Sequence, residues 1–253
     1  MHKLIILILF LSSAGLADEK RLSIAVDTPQ YMQRSEHKSL NYNSRVRFLV
    51  IHYTSSNWQR SLELLTLPEY EVSAHYLIPE SFDETYHELD LAVYQLVDEN
   101  DRAWHAGKSQ WEDRENINDQ SIGIELVNDS ACYYQDDNET LDFTDDYMCS
   151  FRDYDPKQIQ LLIALSKQIL SRHLEITPTR VIGHADIQPG VKSDPGPKFP
   201  WYTLHQHGIG AWYDHETVNK YWLKFTEETM PSIAQVQCGL KSYGYGVELT
   251  GEY

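Results

Sequence analysis

The chain has 253 residues, which is enough to bury one sizeable hydrophobic core with a small appendage. A hydrophobic content of 42% and an aromatic content of 12% exclude a chain that is disordered throughout. The formal net charge of -17 disfavours nucleic-acid binding, because phosphate contacts need a basic surface. The acidity is better explained by solubility in an extracytoplasmic space.

The N-terminus, residues 1–17, has the pattern of a signal peptide. Lys3 supplies a positive start, residues 4–11 form an unbroken apolar run, and residues 15–17 are suited to cleavage. The alternative is a membrane anchor, but the apolar run is far below the roughly 20 residues that a spanning helix needs. We expect an exported protein, periplasmic or secreted, with no transmembrane segment in the mature chain. Residues 18–44 are polar and are expected to form an N-terminal arm.

Three cysteines are present, at Cys132, Cys149 and Cys238. The first two bracket much of an acidic, tyrosine-rich insertion over residues 128–153. In an exported protein they are a plausible disulfide, which would contribute about 3 kcal/mol by closing a loop. Cys238 is then unpaired. The alternative, that none of the three is bonded, stays open.

The first predicted strand lies in residues 45–53 and ends near His52. Its residues 46–51 are mostly apolar and β-branched with little alternation, which is typical of a strand buried on both faces. Open α/β sheets hold their ligand sites at the carboxyl ends of such strands. His52 is therefore a candidate site residue, and the alternative is a core histidine bonded to a carbonyl.

The remaining elements predict a mixed α/β fold, with a central β-sheet flanked by helices. A helix begins after Asn57, a strand at residues 72–78 pairs with one at 93–97, and His75 is expected to serve packing. Further elements follow in chain order: a strand at 121–127, a helix at 155–173, a strand at 179–182 and a short helical extension over 206–253.

The helix at 155–173 has the clearest start signals. Asp155 is the expected N-cap, Pro156 occupies the first helical position, and Gln158 can bond back to the cap. Apolar residues recur at helical spacing, so one face of this helix is predicted to be buried.

A loop at residues 102–111 contains Trp104, His105 and Trp111. Aromatic side chains beside polar groups suit a sugar or peptide platform. The alternative is a loop pinned to the core by its tryptophans, and both interpretations stay open.

Glu125 is a single carboxylate inside the apolar strand at 121–127. A buried glutamate is costly unless it is paired or catalytic, and burial raises its pKa toward the range of a general base. The alternative is a glutamate that points to solvent, which the apolar residues on both sides make less favourable.

The loop at residues 183–197 has the composition of a functional site, with a histidine, two aspartates, a lysine, three prolines and three glycines. His184 and Asp194 are good zinc ligands, and His52 can be the third if the two preceding strands are neighbours in the sheet. Glu125 would then take a proton from water and Lys192 would stabilise an oxyanion, which describes metal-assisted amide hydrolysis.

Five ordered segments resemble the zinc-dependent N-acetylmuramoyl-L-alanine amidases of type 2, which are related to the peptidoglycan recognition proteins. The segments are residues 50–52, 72–78, 102–107, 118–125 and 183–197. The resemblance implies the fold of that family and Zn2+ as cofactor. It also implies these site residues: zinc ligands His52, His184 and Asp194, a catalytic Glu125 and a transition-state-stabilising Lys192.

The resemblance further implies cleavage of the amide between the lactyl group of N-acetylmuramic acid, or its anhydro form, and L-Ala of the peptidoglycan stem peptide. Trp104 and Asn118 are placed near the substrate groove. The signal peptide makes the chain similar to the exported branch of the family, acting as a monomer on peptidoglycan or muropeptides. The alternatives are a non-catalytic peptidoglycan-binding protein, or a zinc peptidase of other specificity.

The predicted domain organisation follows from the same resemblance. Residues 45–205 form the zinc amidase catalytic domain, which includes the insertion at 128–153. Residues 206–253 form the helical extension. Its last residues resemble the start of a small peptidoglycan-binding domain and stop short of a complete one.

Overall fold

The computed structural model describes residues 32–134, 147–227 and 230–252. The chain divides into two compact units, residues 1–42 and residues 43–253. Residues 32–42 of the first unit are exposed and contain no helix or strand. The predicted signal peptide and residues 18–31 of the predicted arm lie outside the described residues. Within the described ranges, no helix is long and apolar enough to cross a membrane.

The second unit is built from nine strands and six α-helices among the described residues. In chain order they are β1 (Phe48–Tyr53), α1 (Trp58–Thr66), β2 (Tyr76–Ile78), β3 (Tyr94–Gln95), β4 (Gln110–Trp111), β5 (Arg114–Glu115), β6 (Ser121–Leu126), β7 (Ala131–Tyr134), β8 (Tyr147–Ser150), α2 (Pro156–Arg172), β9 (Val181–Gly183), α3 (His184–Ile187), α4 (Trp201–Gln206), α5 (His215–Glu227) and α6 (Ile233–Tyr243).

A five-stranded sheet in the order β3-β2-β6-β1-β9 forms the centre of this unit. β1 is parallel to both of its neighbours, β6 and β9, and β2 is parallel to β6. β3 is antiparallel to β2, as predicted for the strand pair at 72–78 and 93–97. All six residues of β1 are buried, which confirms a strand covered on both faces. The predicted mixed α/β sheet is confirmed.

The two faces of the sheet have separate cores, because successive side chains of a strand point to opposite sides. Leu49 and Ile51 belong to the core that α2 covers. Phe48 and Val50 belong to a second core with Trp111 and Ile182. His52 has the same parity as Phe48 and Val50, so its position in β1 assigns it to the second face.

The helix starts follow the predicted capping chemistry. The Asn57 side chain accepts the Arg60 backbone N–H at 2.9 Å and caps α1. Asp155 caps α2 by accepting the Lys157 N–H at 2.9 Å, with Pro156 as the first helical residue. α5 and α6 confirm that part of residues 206–253 is helical.

Gln158 does not bond back to the α2 cap, so that prediction is wrong. Its side chain is buried, and Nε2 donates to the backbone oxygens of Ile78 and Val127, both at 2.9 Å. These carbonyls lie at the ends of β2 and β6, and a buried carbonyl needs a donor. The amide therefore links the helix to the sheet.

The strand predicted at 72–78 is shorter in the structure, since β2 begins at Tyr76. Ser73 bonds outside the sheet, because its N–H donates to Trp104 O at 3.1 Å. This contact ties the strand entrance to the loop at 102–111.

The insertion at 128–153 contains a two-stranded hairpin of β7 and β8. Cys132 lies opposite Cys149 in this ladder, and the two form the predicted disulfide. Cys238 is free and exposed, also as predicted. Residues 135–146 of the insertion lie outside the described residues.

Replacing Gln158 by leucine is expected to destabilise the protein by about 2 kcal/mol, because the buried Val127 carbonyl loses its donor. Ile78 O keeps a second donor, the Val127 N–H at 2.9 Å. Urea unfolding of Gln158→Leu against wild type measures the change. Gln168→Leu on the exposed face of α2 is the matched control. Equal unfolding free energies for the two variants would contradict the bridging role.

Candidate active site

Three side chains from separate parts of the chain converge at the carboxyl ends of β1 and β9. His52 is the penultimate residue of β1, His184 begins α3 directly after β9, and Asp194 lies in the loop that follows. His52 Nδ1 lies 2.9 Å from Asp194 Oδ2 and 3.1 Å from His184 Nδ1, and His184 Nδ1 lies 3.2 Å from Asp194 Oδ2. All three residues are buried. β1 and β9 are neighbours in the sheet, which is the arrangement that His52 needs to reach His184 and Asp194.

This geometry fits a metal ion. With metal–ligand bonds of about 2.0–2.1 Å, neighbouring ligand atoms of a tetrahedral site are about 3.3 Å apart, close to the observed distances. Both histidines turn the same nitrogen toward one carboxylate oxygen, and a shared cation explains that convergence. No other group of three or more such ligands was found in the described part of the chain. The residues that sequence analysis selected as ligands are therefore brought together.

The protonation states of the group suit metal binding, which needs neutral imidazoles and an ionised carboxylate. Burial lowers the pKa of His52 to about 4, although the hydrogen bond to Asp194 opposes this shift. Burial works against the ionisation of Asp194, yet hydrogen bonds with His184 and His52 hold its pKa well below the usual range. At neutral pH His52 and Asp194 are therefore in the forms that bind a cation.

Close backbone contacts shape the loop that carries His184 and Asp194. A Cβ on Gly183 would lie 2.5 Å from Pro195 Cδ, so this position has no room for a side chain. Ala185 N–H donates to Asp194 O at 2.8 Å. Asp186 braces the loop, because its Oδ2 accepts the Gly183 N–H at 2.8 Å. Asp186 is not part of the ligand group.

Glu125 lies beside the ligand group because it pairs with His52 in the parallel register of β6 and β1. The residue keeps some exposure, but Oε2 is buried and has no hydrogen-bond partner. Burial, and then the charge of Asp194, raise the pKa of Glu125 to about 8, while the Lys192 ammonium opposes the rise. An unpartnered carboxylate at this position is suited to accept a proton.

A cavity of about 470 Å3 opens above these groups. His52, Glu125, His184 and Asp194 line it, and the exposed Lys192 lies on its wall. Trp104, with 51% of its surface exposed, also lines this cavity. The cavity volume is in the range that holds small ligands.

Asn118 has a different environment. It is buried, and its Oδ1 accepts the backbone N–H groups of His105 and Ala106 at 3.0 and 3.1 Å. It is not among the residues that line the cavity. Asn118 therefore holds the loop at 102–111 in place, and its direct contact with a substrate stays a prediction.

His105 is a site residue that sequence reasoning did not select. Its Nδ1 lies 3.0 Å from His52 Nε2, and its Nε2 lies 3.3 Å from Ser121 Oγ. When Nδ1 of His52 faces the cation, Nε2–H donates to His105, which fixes the ring orientation. A Cβ on Gly123 would lie 2.5 Å from the His105 ring, so that glycine makes room for it. The sequence feature that could have indicated this role is the position of His105 between Trp104 and Ala106, in a loop that combines aromatic and polar side chains.

His75 is buried but stays outside the ligand group. Its Nδ1 accepts the Gly123 N–H at 3.0 Å, and its Nε2 contacts Asp101 O at 3.3 Å. These contacts confirm the expected packing role.

Glu125→Gln is expected to stabilise the metal-free protein at alkaline pH. The folded pKa of about 8 lies above the ordinary value of 4.5, so the ionised carboxylate is penalised in the folded state. The penalty is absent below pH 4.5 and grows by about 1.4 kcal/mol per pH unit as the pH rises to 8. Urea unfolding of both proteins across this range, with chelator present, measures the difference. A difference that is independent of pH would contradict the raised pKa.

His105→Ala is expected to weaken metal binding about 10- to 100-fold, because the His52 ring loses the acceptor that orients it. Competition with a chromogenic chelator measures the metal dissociation constant without any substrate. The exposed His207 supplies the matched control, His207→Ala. His105→Asn, which keeps an acceptor oxygen, should recover part of the affinity. Wild-type affinity in His105→Ala would show that the contact has no positioning role.

Comparison with known proteins gives relatives of one kind. The protein-family model described as N-acetylmuramoyl-L-alanine amidase, Amidase_2, matches residues 42–197. N-acetylmuramoyl-L-alanine amidase AmiD of Escherichia coli strain K12 is 39% identical over 240 residues, which cover 93% of this chain and 78% of that protein.

Solved structures of similar proteins share the fold. AmpDh3 from Pseudomonas aeruginosa, in complex with an anhydromuramic pentapeptide, has a TM-score of 0.77 and 41% identity over 88% of this chain and 83% of that one. E. coli AmiD, in complex with the substrate anhydro-N-acetylmuramic acid-L-Ala-D-γ-Glu-L-Lys, has a TM-score of 0.70 and 37% identity over 86% of this chain and 79% of that one.

Proposed function

Because the chain belongs to the N-acetylmuramoyl-L-alanine amidase family, we propose that it hydrolyses the amide between the lactyl group of N-acetylmuramic acid and L-Ala of the stem peptide. One observation carries the proposal: three metal-ligand atoms lie within 3.2 Å of one another beside the unpartnered carboxylate of Glu125. This is the arrangement that metal-assisted hydrolysis of an amide needs.

Zinc is the proposed metal, held by His52, His184 and Asp194. Two imidazoles and one carboxylate are a ligand set that catalytic zinc sites use, with a further position left for water or substrate. When bound, zinc supplies Lewis acidity, which lowers the pKa of water and polarises a carbonyl. The low pKa of Asp194 keeps this carboxylate ionised for the ion.

Two residues act on the protons and charges of the reaction. Glu125 accepts the proton of the attacking water and returns it to the leaving amine, which a carboxylate with a raised pKa can do. A nearby cation would lower the pKa of Glu125 and so favour the ionised carboxylate, which is the form that accepts a proton. Lys192, on the cavity wall, stabilises the negative charge that develops on the carbonyl oxygen.

The substrate is a peptidoglycan fragment that carries N-acetylmuramic acid or its anhydro form. The relatives with bound anhydromuramic peptides support this class of substrate. Trp104 offers an exposed ring beside the reacting groups for stacking against a sugar or peptide, and Asn118 supports this wall from behind. The pattern of residues 1–17 supports action outside the cytoplasm, in the periplasm or after secretion.

Digestion of purified muropeptides by the metal-loaded protein is expected to release free stem peptides that begin with L-Ala, because the lactyl-alanine amide is the bond cleaved. Mass spectrometry of the products identifies them. Intact and anhydro muropeptides are compared in parallel reactions.

The controls separate hydrolysis from mere binding. Chelator treatment and Glu125→Ala should each lower the release rate at least about 100-fold. Glu248→Ala, at an exposed position, should leave the rate unchanged. Products in which the lactyl-alanine bond is intact would assign a different peptidase specificity. Binding without any product would identify a non-catalytic recognition protein.

A further inference from the structure

A second cavity, of about 370 Å3, lies at the outer edge of β9, the edge strand of the central sheet. It shares no lining residue with the active-site cavity. We call it the aromatic cavity, because its lining includes Trp111, Trp201, Trp212, Tyr213, Tyr243 and Tyr245. Three tryptophans and three tyrosines therefore surround one space beside β9.

One wall of the aromatic cavity is built by a Tyr-Gly-Tyr-Gly sequence at residues 243–246. The Gly244 backbone lies against the Trp111 indole, where a Cβ would meet ring atoms at 2.4 Å. Gly244 also has a φ of +142°, which other residues rarely adopt. The glycine thus brings both tyrosine rings to Trp111, with centroid distances of 6.0 Å for Tyr243 and 4.8 Å for Tyr245.

The opposite wall comes from the chain after α4. Gly210 packs against Val181 of β9. The next residues bring Trp212 and Tyr213 to the cavity as a stacked pair, with their ring centroids 4.8 Å apart. Trp201, the first residue of α4, completes this side.

The charge in the cavity comes from Asp186. Its Oδ1 accepts the Tyr245 hydroxyl at 2.7 Å, and its Oδ2 accepts the Gly183 N–H. No lysine, arginine or histidine lines the cavity, and Asp186 has no ion pair among the described residues. Burial, followed by the Asp186 charge, raises the pKa of Tyr243. The cavity therefore combines aromatic rings with one carboxylate that has no cationic partner.

We propose that the aromatic cavity is a binding site for an organic ammonium group. Aromatic rings attract a cation through the negative potential of their faces, and the carboxylate beside them adds Coulomb attraction. An anion would meet Asp186 without a compensating charge. An uncharged group would leave that carboxylate without a counter-charge. The proposed site is independent of amide hydrolysis at the metal centre.

Choline is the probe, and its uncharged isostere 3,3-dimethylbutan-1-ol is the matched ligand control. NMR signals of the six indole N–H groups show where choline binds, since three tryptophans line the aromatic cavity and three lie elsewhere. Choline is expected to shift Trp111, Trp201 and Trp212 saturably at millimolar concentration, with ionic strength held constant. The isostere should bind at least about tenfold more weakly.

Variants test the residues. Asp186→Asn and Tyr243→Leu should each weaken choline binding about tenfold, whereas Tyr221→Leu, at an exposed position on α5, should not. If Asp186→Asn disturbs the loop that begins at His184, Tyr243→Leu still tests the aromatic cavity, because Tyr243 lies outside that loop. Equal affinity for the isostere, shifts centred on Trp104, or binding of N-acetylglucosamine in place of choline would each overturn the proposal. So would the absence of saturation below about 100 mM.

Discussion

The parallel pairing of β1 with β6 and β9 is the constraint on which the rest of the structure depends. It aligns His52 with Glu125 on one side and Ile51 with Gly183, the residue before His184, on the other. Because strand side chains alternate, a slip of one residue would turn His52 toward the core under α2. The buried apolar residues of β1 oppose such a slip, so the core that stabilises the fold also sets the register of the site.

Burial at this edge of the sheet shifts neighbouring pKa values in different directions. His52 and Asp194 are both shifted toward the forms that ligate a cation, a neutral imidazole and an ionised carboxylate. Glu125 is shifted toward the protonated form and lacks a hydrogen-bond partner. The fold therefore holds a glutamate whose ionisation is unfavourable next to a histidine and an aspartate that are already in their metal-binding forms. Such an arrangement is typical of a site that serves chemistry at some cost in stability.

The loops that surround the site are supported by specific contacts from the core. Asn118 holds the backbone of the loop that carries Trp104 and His105, and Gly123 leaves space for the His105 ring. Asp186 joins the loop of His184 to Tyr245, near the C-terminal end of the described chain. The segment after α6 thus contacts the loop that begins at His184 and also encloses the aromatic cavity.

Local patterns in the sequence predicted the strands of the central sheet, two of its flanking helices and the residues that converge at its edge. The buried strand before His52, the cap at Asp155, the carboxylate in β6 and the composition of residues 183–197 are short-range signals with direct physical causes. Other features depend on residues far apart in the chain. The Gln158 side chain donates to carbonyls of the sheet and not to its own helix cap. His105 lies within hydrogen-bond distance of His52, and the Tyr243 ring packs against Trp111. Such contacts depend on which buried groups lack a partner once the sheet is packed, and only the tertiary structure decides that.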